Sequence, residues 1–186
     1  MQKIDTNSNI PVFSELEDII RYRFHNRQLL TEAMTHSSWT NEHGTPHNER
    51  LEFLGDAVLE LNVSMELYER FPSAREGAMT AMRASLVGEN SLADIARSLG
   101  LGAFLLMNKG EESQGGRERN ALIADALEAL IGAVYLDGGH AAAKCLIRHI
   151  FKDRWPNSAE SPRKKDFKTQ LQEFSQKKFK ITPEYE

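Results

Sequence analysis

Hydrophobic side chains recur along this chain three or four positions apart, which is the spacing of amphipathic helices. This pattern predicts helices at 12–24, 28–34, 47–71, 76–87, 90–99, 120–136 and 140–151. Pro72 stops the third of these helices and Gly100 closes the fifth. No stretch alternates apolar and polar residues regularly enough to predict a strand, so we expect an all-α body.

Polar stretches divide the helical pattern. Residues 110–119 (GEESQGGRER) are polar and glycine-rich, which predicts a surface loop. Residues 155–165 (WPNSAESPRKK) hold two prolines, two serines and three consecutive basic residues, as is typical of a linker. Residues 166–186 begin with helical spacing and end with an extended pattern, but they are too few to enclose a core. We therefore expect one domain at 1–154, a linker at 155–165 and an incomplete second domain at 166–186.

The composition is that of a soluble globular protein, with 186 residues of which 40% are hydrophobic and 27% charged. No apolar run approaches the ~20 residues of a membrane span, and the first residues lack a secretory apolar core. Cys145 is the single cysteine, which excludes an intramolecular disulfide and a thiolate zinc cluster. We expect Cys145 to be a buried small hydrophobe, and the protein to be reduced, cytoplasmic and without a membrane partner.

Charge is distributed unevenly. Residues 1–151 hold 14 basic and 21 acidic side chains, a balance of −7, whereas residues 152–186 hold 9 and 6, a balance of +3. An acidic body with a basic tail indicates cation chemistry in the first part and contact with a polyanion in the second.

Three carboxylates share one face of the predicted helix at 47–71. Glu49, Glu52 and Asp56 are separated by three and four positions. A solvated acidic face, softened by Arg50, is one interpretation. The other is a ligand site, because Gly55 costs ~1 kcal/mol relative to alanine within a helix and indicates close approach by a partner helix or a ligand.

A second pair of carboxylates lies in an otherwise apolar helix. Asp125 and Glu128 are the only charged residues between Arg119 and Asp137, and they are three positions apart. Such a placement is costly unless the carboxylates are paired with an arginine or bind a metal. If the two acidic helices face each other, four carboxylates converge, a donor set that suits Mg²⁺ or Mn²⁺. Water bound to such a metal can attack a phosphate.

A di-iron helical bundle also gathers four carboxylates, but it uses paired Glu-x-x-His motifs, which this chain lacks. His36 and His47 are the histidines nearest to the acidic run. We expect each to be a loop or capping residue rather than a catalytic base.

In the segments that carry these acidic residues, the chain resembles the ribonuclease III family. The segment NERLEFLGD at 48–56 looks like the family signature, and three further segments follow in the order of the bacterial enzymes. These are FPSAREGAMTAMRASLVGENSLADIA at 71–96, the glycine pair at 115–116 and LIADALEALIGAVYLDGG at 122–139. The resemblance extends over roughly residues 13–180 and includes six acidic positions together.

The resemblance implies a helical endonuclease domain that forms a homodimer and cuts both strands of double-stranded RNA. It implies hydrolysis at a two-metal Mg²⁺ site, where Mn²⁺ can substitute, with 5′-phosphate and 3′-hydroxyl products carrying two-nucleotide 3′ overhangs. Ribosomal precursor RNA and other structured RNA are the substrates that the resemblance implies. Carried over by position, the metal ligands are Glu52, Asp56, Asp125 and Glu128, the accessory acidic residues are Glu49 and Glu76, and the residue inserted into the partner subunit is Phe53.

The tail resembles the first helix and the start of the first strand of a double-stranded-RNA-binding domain. In that fold the first helix contacts the minor groove, which makes Gln172 and Glu173 the candidate RNA contacts. The remaining elements of such a domain are absent from the sequence. A family member that binds duplex RNA without cutting it is the competing interpretation, and the presence of all six acidic positions argues against it.

Overall fold

In the computed structural model, residues 13–158 and 175–180 are described. Over these residues the chain forms helices and turns but no strand, as predicted, and Thr35 and Leu106 form a single isolated bridge. The helices are α1 Ser14–Ile20, α2 Arg27–Ala33, α3 Ser37–His43, α4 Glu49–Arg70, α5 Glu76–Val87, α6 Glu89–Ser98, α7 Lys109–Ser113 and α8 Asn120–Ile150. Short 3-10 turns at Leu101–Phe104 and Gly116–Glu118 precede and follow α7. No helix in this part of the chain is long and apolar enough to cross a membrane.

Helix α8 lies at the centre of the fold and packs against α4, α6, α2 and α1. Its first half is apolar on nearly all sides, which is the pattern of a helix surrounded by others. Side chains from Ile123 to Val134 are almost completely buried there, apart from Asp125 and Glu128. The two carboxylates are therefore the polar exceptions in the best-packed helix of the domain.

Two glycines allow α4 and α8 to cross in backbone contact. A Cβ atom added at Gly55 would lie 1.8 Å from the Glu128 carbonyl oxygen, and one added at Gly132 would lie 2.3 Å from the Leu51 carbonyl oxygen. Neither position can hold a side chain without separating the helices. The expectation that Gly55 marks a close helix approach is confirmed, and the approach brings the acidic face of α4 beside Asp125 and Glu128.

A break in α8 follows its first, apolar half, as the Asp-Gly-Gly sequence predicts. Gly139 has φ 73° and ψ −174°, a conformation that favours glycine. Two residues before Gly139, the buried Asp137 carboxylate accepts hydrogen bonds from the Tyr22 hydroxyl at 2.7 Å and from the backbone N–H groups of His25 at 2.9 Å and Asn26 at 2.8 Å. Asp137 thus fixes the connection between α1 and α2 to the break in α8.

The second half of α8 is held to α4 by an ion pair between a buried carboxylate and half-exposed arginines. Glu66 of α4 is 3% exposed and accepts from Arg148 at 2.5 Å and from Arg70 at 3.3 Å. The Arg70 guanidinium also lies over the Trp155 ring, 4.8 Å from its centroid. These contacts hold the end of the domain against its central helices.

Four features differ from the sequence predictions. The first helix is shorter than predicted, and α3 was not predicted because it lacks an apolar stripe. It forms at a cap, where the His36 side chain accepts from the Ser38 N–H. The predicted loop at 110–119 contains most of α7, which begins where the Asn108 side chain accepts from the Glu111 N–H. The prediction of a buried Cys145 is wrong, since this residue lies on the exposed side of α8.

Of the segment from residue 166, whose spacing predicts a helix, the structure describes residues 175–180, and residues 175–179 are helical. Gln172 and Glu173 lie outside the described residues, and so do residues 181–186, for which the sequence predicts an extended segment.

Candidate active site

The crossing of α4 and α8 gathers three carboxylates. Glu52 comes from the first turn of α4, and Asp125 and Glu128 project from successive turns of α8. One oxygen atom from each of these side chains lies within 4.8 Å of the others. All three side chains are half-buried, so they open to solvent on one side and rest on the apolar core on the other.

Burial and mutual repulsion make these carboxylates reluctant to ionise. Burial, and after it the charges of nearby acids, raise the pKa of Glu128 to about 8; these acids are Asp56, Asp125, Glu52 and Glu60. The pKa of Glu52 is also raised, first by burial and then by the charges of neighbouring acids. Removing several negative charges from water at one place is unfavourable without a compensating cation.

Asp56 and Glu49 flank this trio on α4 and are exposed. Asp56 is the strongest charge acting on Glu128, and it acts on Glu52 as well. Glu49 contributes to the raised pKa of Glu52. Five of the six acidic residues singled out from the sequence therefore lie in one electrostatic neighbourhood.

Glu76, the sixth, lies elsewhere on this chain. It is the first residue of α5, and its carboxylate accepts a 2.7 Å hydrogen bond from the Thr80 hydroxyl. It lines a groove of about 270 Å³ together with Tyr68 and Arg83. Glu76 is not among the charges that raise the pKa values in the cluster.

Two further residues influence Asp125 that the sequence argument did not assign to the site. Burial raises the pKa of Asp125 first, the Glu89 charge raises it further, and His36 lowers it. Glu89 is the first residue of α6, and an acidic residue there is usually explained by the helix dipole alone. Its sequence position therefore gave no reason to place it near Asp125. His36 caps α3 as expected, and its proximity to the cluster is a feature of the tertiary structure.

The cluster fits a hard divalent cation. Its donors are carboxylate oxygens, which Mg²⁺ and Mn²⁺ prefer. Within residues 13–158 and 175–180, no lysine or arginine forms an ion pair with Glu52, Asp56, Asp125 or Glu128. The alternative of a salt bridge to an arginine is thus not realised there, and the charge of the cluster is left for a metal to neutralise.

Comparison with known proteins gives a consistent result. A family model described as Ribonuclease-III-like matches residues 26–154. A protein named Ribonuclease 3 from Oleidesulfovibrio alaskensis is 56% identical over 176 residues, which cover 94% of this chain and 77% of the relative. A second Ribonuclease 3, from Nitratidesulfovibrio vulgaris, is 55% identical over 179 residues, which cover 95% of this chain and 71% of the relative.

Solved structures agree in fold. The crystal structure of the nuclease domain of ribonuclease III from Campylobacter jejuni is 43% identical with a TM-score of 0.73, covering 79% of this chain and 99% of that one. Another structure of that domain, described as showing flexibility in a region involved in dimer formation, is 45% identical with a TM-score of 0.72 and covers 76% of this chain and 98% of the other.

The fold, the site and these similarities first define the class, a helical nuclease domain with a carboxylate cluster where its two central helices cross. The chain belongs to the ribonuclease III family and is a ribonuclease III endonuclease. Membership supports endoribonuclease activity on double-stranded RNA.

Proposed function

We propose that this protein hydrolyses phosphodiester bonds of double-stranded RNA with Mg²⁺, and that Mn²⁺ can substitute. The observation that carries the proposal is the convergence of Glu52, Asp125 and Glu128 at a glycine-mediated helix crossing, without a basic partner in the described part of the chain. The proposed products carry 5′-phosphate and 3′-hydroxyl ends with two-nucleotide 3′ overhangs. Processing of ribosomal precursor and other structured RNA is the proposed role.

The proposed ligands are the trio together with Asp56, and Glu49 and Glu76 serve as accessory acids. Two divalent cations in such a site would supply an activated water, stabilise the leaving 3′ oxygen and invert the local negative potential that otherwise repels phosphate. The contribution of the chain is preorganisation. Rigid packing of α4 on α8 holds the carboxylates in place before RNA arrives, so little reorganisation is needed during the reaction.

A two-fold homodimer is part of the proposal, because one kind of site must cut two antiparallel strands. Large apolar side chains are exposed at spacings of seven and eight along α4, namely Phe53 at 82%, Leu61 at 55% and Tyr68 at 73%. Exposed aromatic residues on one helix face are typical of an interface between proteins. We propose that Phe53 inserts into the partner subunit. Because Phe53 follows Glu52 directly in the sequence, this contact would lie close to the active site.

RNA recognition is proposed to rest on A-form shape, phosphates and 2′-hydroxyl groups rather than base sequence. The match to the family ends at residue 154, which supports a nuclease domain at 1–154 followed by a linker at 155–165. We propose that 166–186 opens a double-stranded-RNA-binding domain, in which Gln172 and Glu173 contact RNA. The single cysteine fits a reducing, cytoplasmic environment.

The test is a cleavage assay on a long RNA duplex, with the single strands and a DNA duplex of the same sequence as controls. We expect short duplex products from the RNA duplex with Mg²⁺ or Mn²⁺, none with EDTA, and intact controls. Sequencing of the product ends checks the overhang. Binding of duplex RNA without cleavage at any divalent metal concentration would identify a binding module and contradict the proposal.

A further inference from the structure

The charge of the chain changes sign at the break in α8. Residues 13–138 hold 11 basic and 20 acidic side chains, a balance of −9, whereas residues 140–154 hold 4 basic side chains and 1 acidic, a balance of +3. A polyanion is repelled by the first segment wherever no cation screens it. The second half of α8 therefore gives the nuclease domain a positive surface.

A buried glutamate organises the cations of this surface. Glu66 accepts from Arg148 at 2.5 Å and from Arg70 at 3.3 Å, so one carboxylate holds two guanidinium groups. The Trp155 ring supports Arg70 from one side, with its centroid 4.8 Å away. The exposed Glu69 lies 3.7 Å from Arg148, where water screens the pair. The Arg70 and Arg148 side chains are 44% and 49% exposed, so part of each remains open to a ligand.

Lys144 adds a cation that no described carboxylate neutralises. It lies one turn before Arg148 on α8, and residues four positions apart are neighbours on a helix surface. Within residues 13–158 and 175–180, no acidic side chain forms an ion pair with Lys144. We call Arg70, Arg148 and Lys144, with Glu66 beneath them, the Glu66 basic surface.

The Glu66 basic surface shares a face of α4 with the carboxylate cluster. Glu66 follows Glu52 by 14 positions, which places it ~21 Å along the helix and only about 40° around it. The exposed Tyr68 is turned away from Glu66 by about 160°, so the apolar side chains proposed to meet a second subunit occupy another face. Interface cores between proteins are poor in charged residues, whereas arginine and lysine are the usual ligands of phosphate. The chemistry of this surface therefore favours a polyanion.

We propose that the Glu66 basic surface binds phosphates of the RNA duplex away from the cleaved bond, and so holds the duplex against an otherwise acidic domain. This inference rests on the proposed function and adds a second contact to the same substrate. Glu66 fixes the two arginines before RNA arrives, which reduces the entropy lost on binding. Phosphate contacts position a duplex without reading its sequence, as the proposed mode of recognition requires.

Three variants separate phosphate binding from the tie between α4 and α8. Lys144→Gln removes a cation that takes no part in the tie. Arg148→Gln removes a cation and weakens the tie, whereas Glu66→Gln weakens the tie but keeps every cation. Lys109→Gln is the matched control, because Lys109 is an exposed lysine of α7 that also forms no ion pair with a described residue.

Affinity for a long RNA duplex is measured by fluorescence anisotropy at several salt concentrations, on full chains that also carry Glu128→Gln so that the RNA stays intact. One phosphate contact adds about 0.9 to the slope of log affinity against log salt, so its contribution shrinks roughly 3.5-fold between 50 and 200 mM. We expect Lys144→Gln to weaken binding about ten-fold at 50 mM salt and about three-fold at 200 mM. We expect a loss at least as large for Arg148→Gln, no loss for Glu66→Gln despite a lower melting temperature, and a change below about two-fold for Lys109→Gln.

Cleavage kinetics without Glu128→Gln give a second readout. Lys144→Gln should raise KM and leave kcat unchanged, because Lys144 does not touch the reacting bond. Unchanged RNA affinity in Lys144→Gln would overturn the inference, and so would an equal loss in Lys109→Gln. A loss in Glu66→Gln that matches the loss in Arg148→Gln would show that only the tie between the helices matters, which also overturns it. If the unmodified chain neither binds nor cuts duplex RNA, the proposed function itself fails and the inference fails with it.

Discussion

Replacing Gly55 by alanine tests the link between helix packing and the acidic cluster. The new Cβ would start 1.8 Å from the Glu128 carbonyl oxygen, whereas such contacts are essentially never shorter than 3.0 Å. The backbones of α4 and α8 must therefore separate locally by roughly 1.2 Å, the difference between these two distances. Glu52 lies one turn before Gly55, so it moves away from Asp125 and Glu128 by a similar amount.

The energetic consequence is a balance of two effects. Overpacking a close-packed interface costs about 1–3 kcal/mol or more, and alanine recovers up to about 1 kcal/mol through its higher helix propensity. With a clash against rigid backbone, we expect net destabilisation of about 2 kcal/mol, or ~4–8 °C in melting temperature for a domain of this size. Metal affinity falls as well, because the three carboxylates no longer share one site.

Thermal melts and Mn²⁺ titrations of Gly55→Ala measure both effects. Gly77→Ala is the matched control, because Gly77 lies in α5 and an added Cβ there meets nothing within 4 Å. The control should gain up to about 1 kcal/mol of stability and bind Mn²⁺ unchanged. A Gly55→Ala protein that melts like the unmodified chain and binds Mn²⁺ equally well would refute the role of the helix crossing.

Three further predictions concern the protonation of Glu128, the exposed Phe53 and the hydrogen bonds of Asp137. Without metal, the folded chain keeps a proton on Glu128 up to its pKa of about 8, whereas the unfolded chain loses it near 4.5. Stability from this group therefore falls as pH rises between these values, and Glu128→Gln should show a shallower decline in EDTA melts from pH 5 to 8; equal slopes would contradict this. Phe53→Glu should shift a dimer toward monomer in sedimentation, and an unmodified chain that is monomeric at micromolar concentration would argue against the interface. Asp137→Ala should lower the free energy of unfolding in urea by about 2–4 kcal/mol, because Tyr22 and two backbone N–H groups lose their acceptor; a change below about 0.5 kcal/mol would show that water replaces these bonds.

Helical periodicity predicts the long helices well, because their formation depends on burying a continuous apolar stripe. It predicts α4, α5 and α6 to within a residue or two at most ends, and it places the break in α8 at the Asp-Gly-Gly sequence. It misses α3 and most of α7, which bury little apolar surface. Those short helices depend on side-chain caps from His36 and Asn108, which periodicity does not measure.

The candidate site is only partly predictable. Spacing shows that Glu49, Glu52 and Asp56 share a face, and the apolar context of Asp125 and Glu128 marks them as unusual. That the two helices meet depends on Gly132 pairing with Gly55, and a single sequence does not reveal which glycines meet. Glu89 and His36 act on Asp125 through their charges, from segments distant in sequence. The Asp137 contacts with residues 22–26 are of the same kind, since they join segments more than 110 positions apart.

The most direct test of the account is the turnover of a duplex RNA by Glu128→Gln at several Mg²⁺ concentrations, with RNA affinity measured in parallel. Glutamine keeps the volume of the side chain and removes the charge that would hold the metal. Glu15→Gln, on the exposed side of α1, is the control for loss of one negative charge. We predict a loss of turnover of at least about 100-fold for Glu128→Gln, with unchanged RNA affinity and an active control. Cleavage at nearly the unmodified rate in low Mg²⁺ would contradict the central claim that this carboxylate cluster is the catalytic metal site.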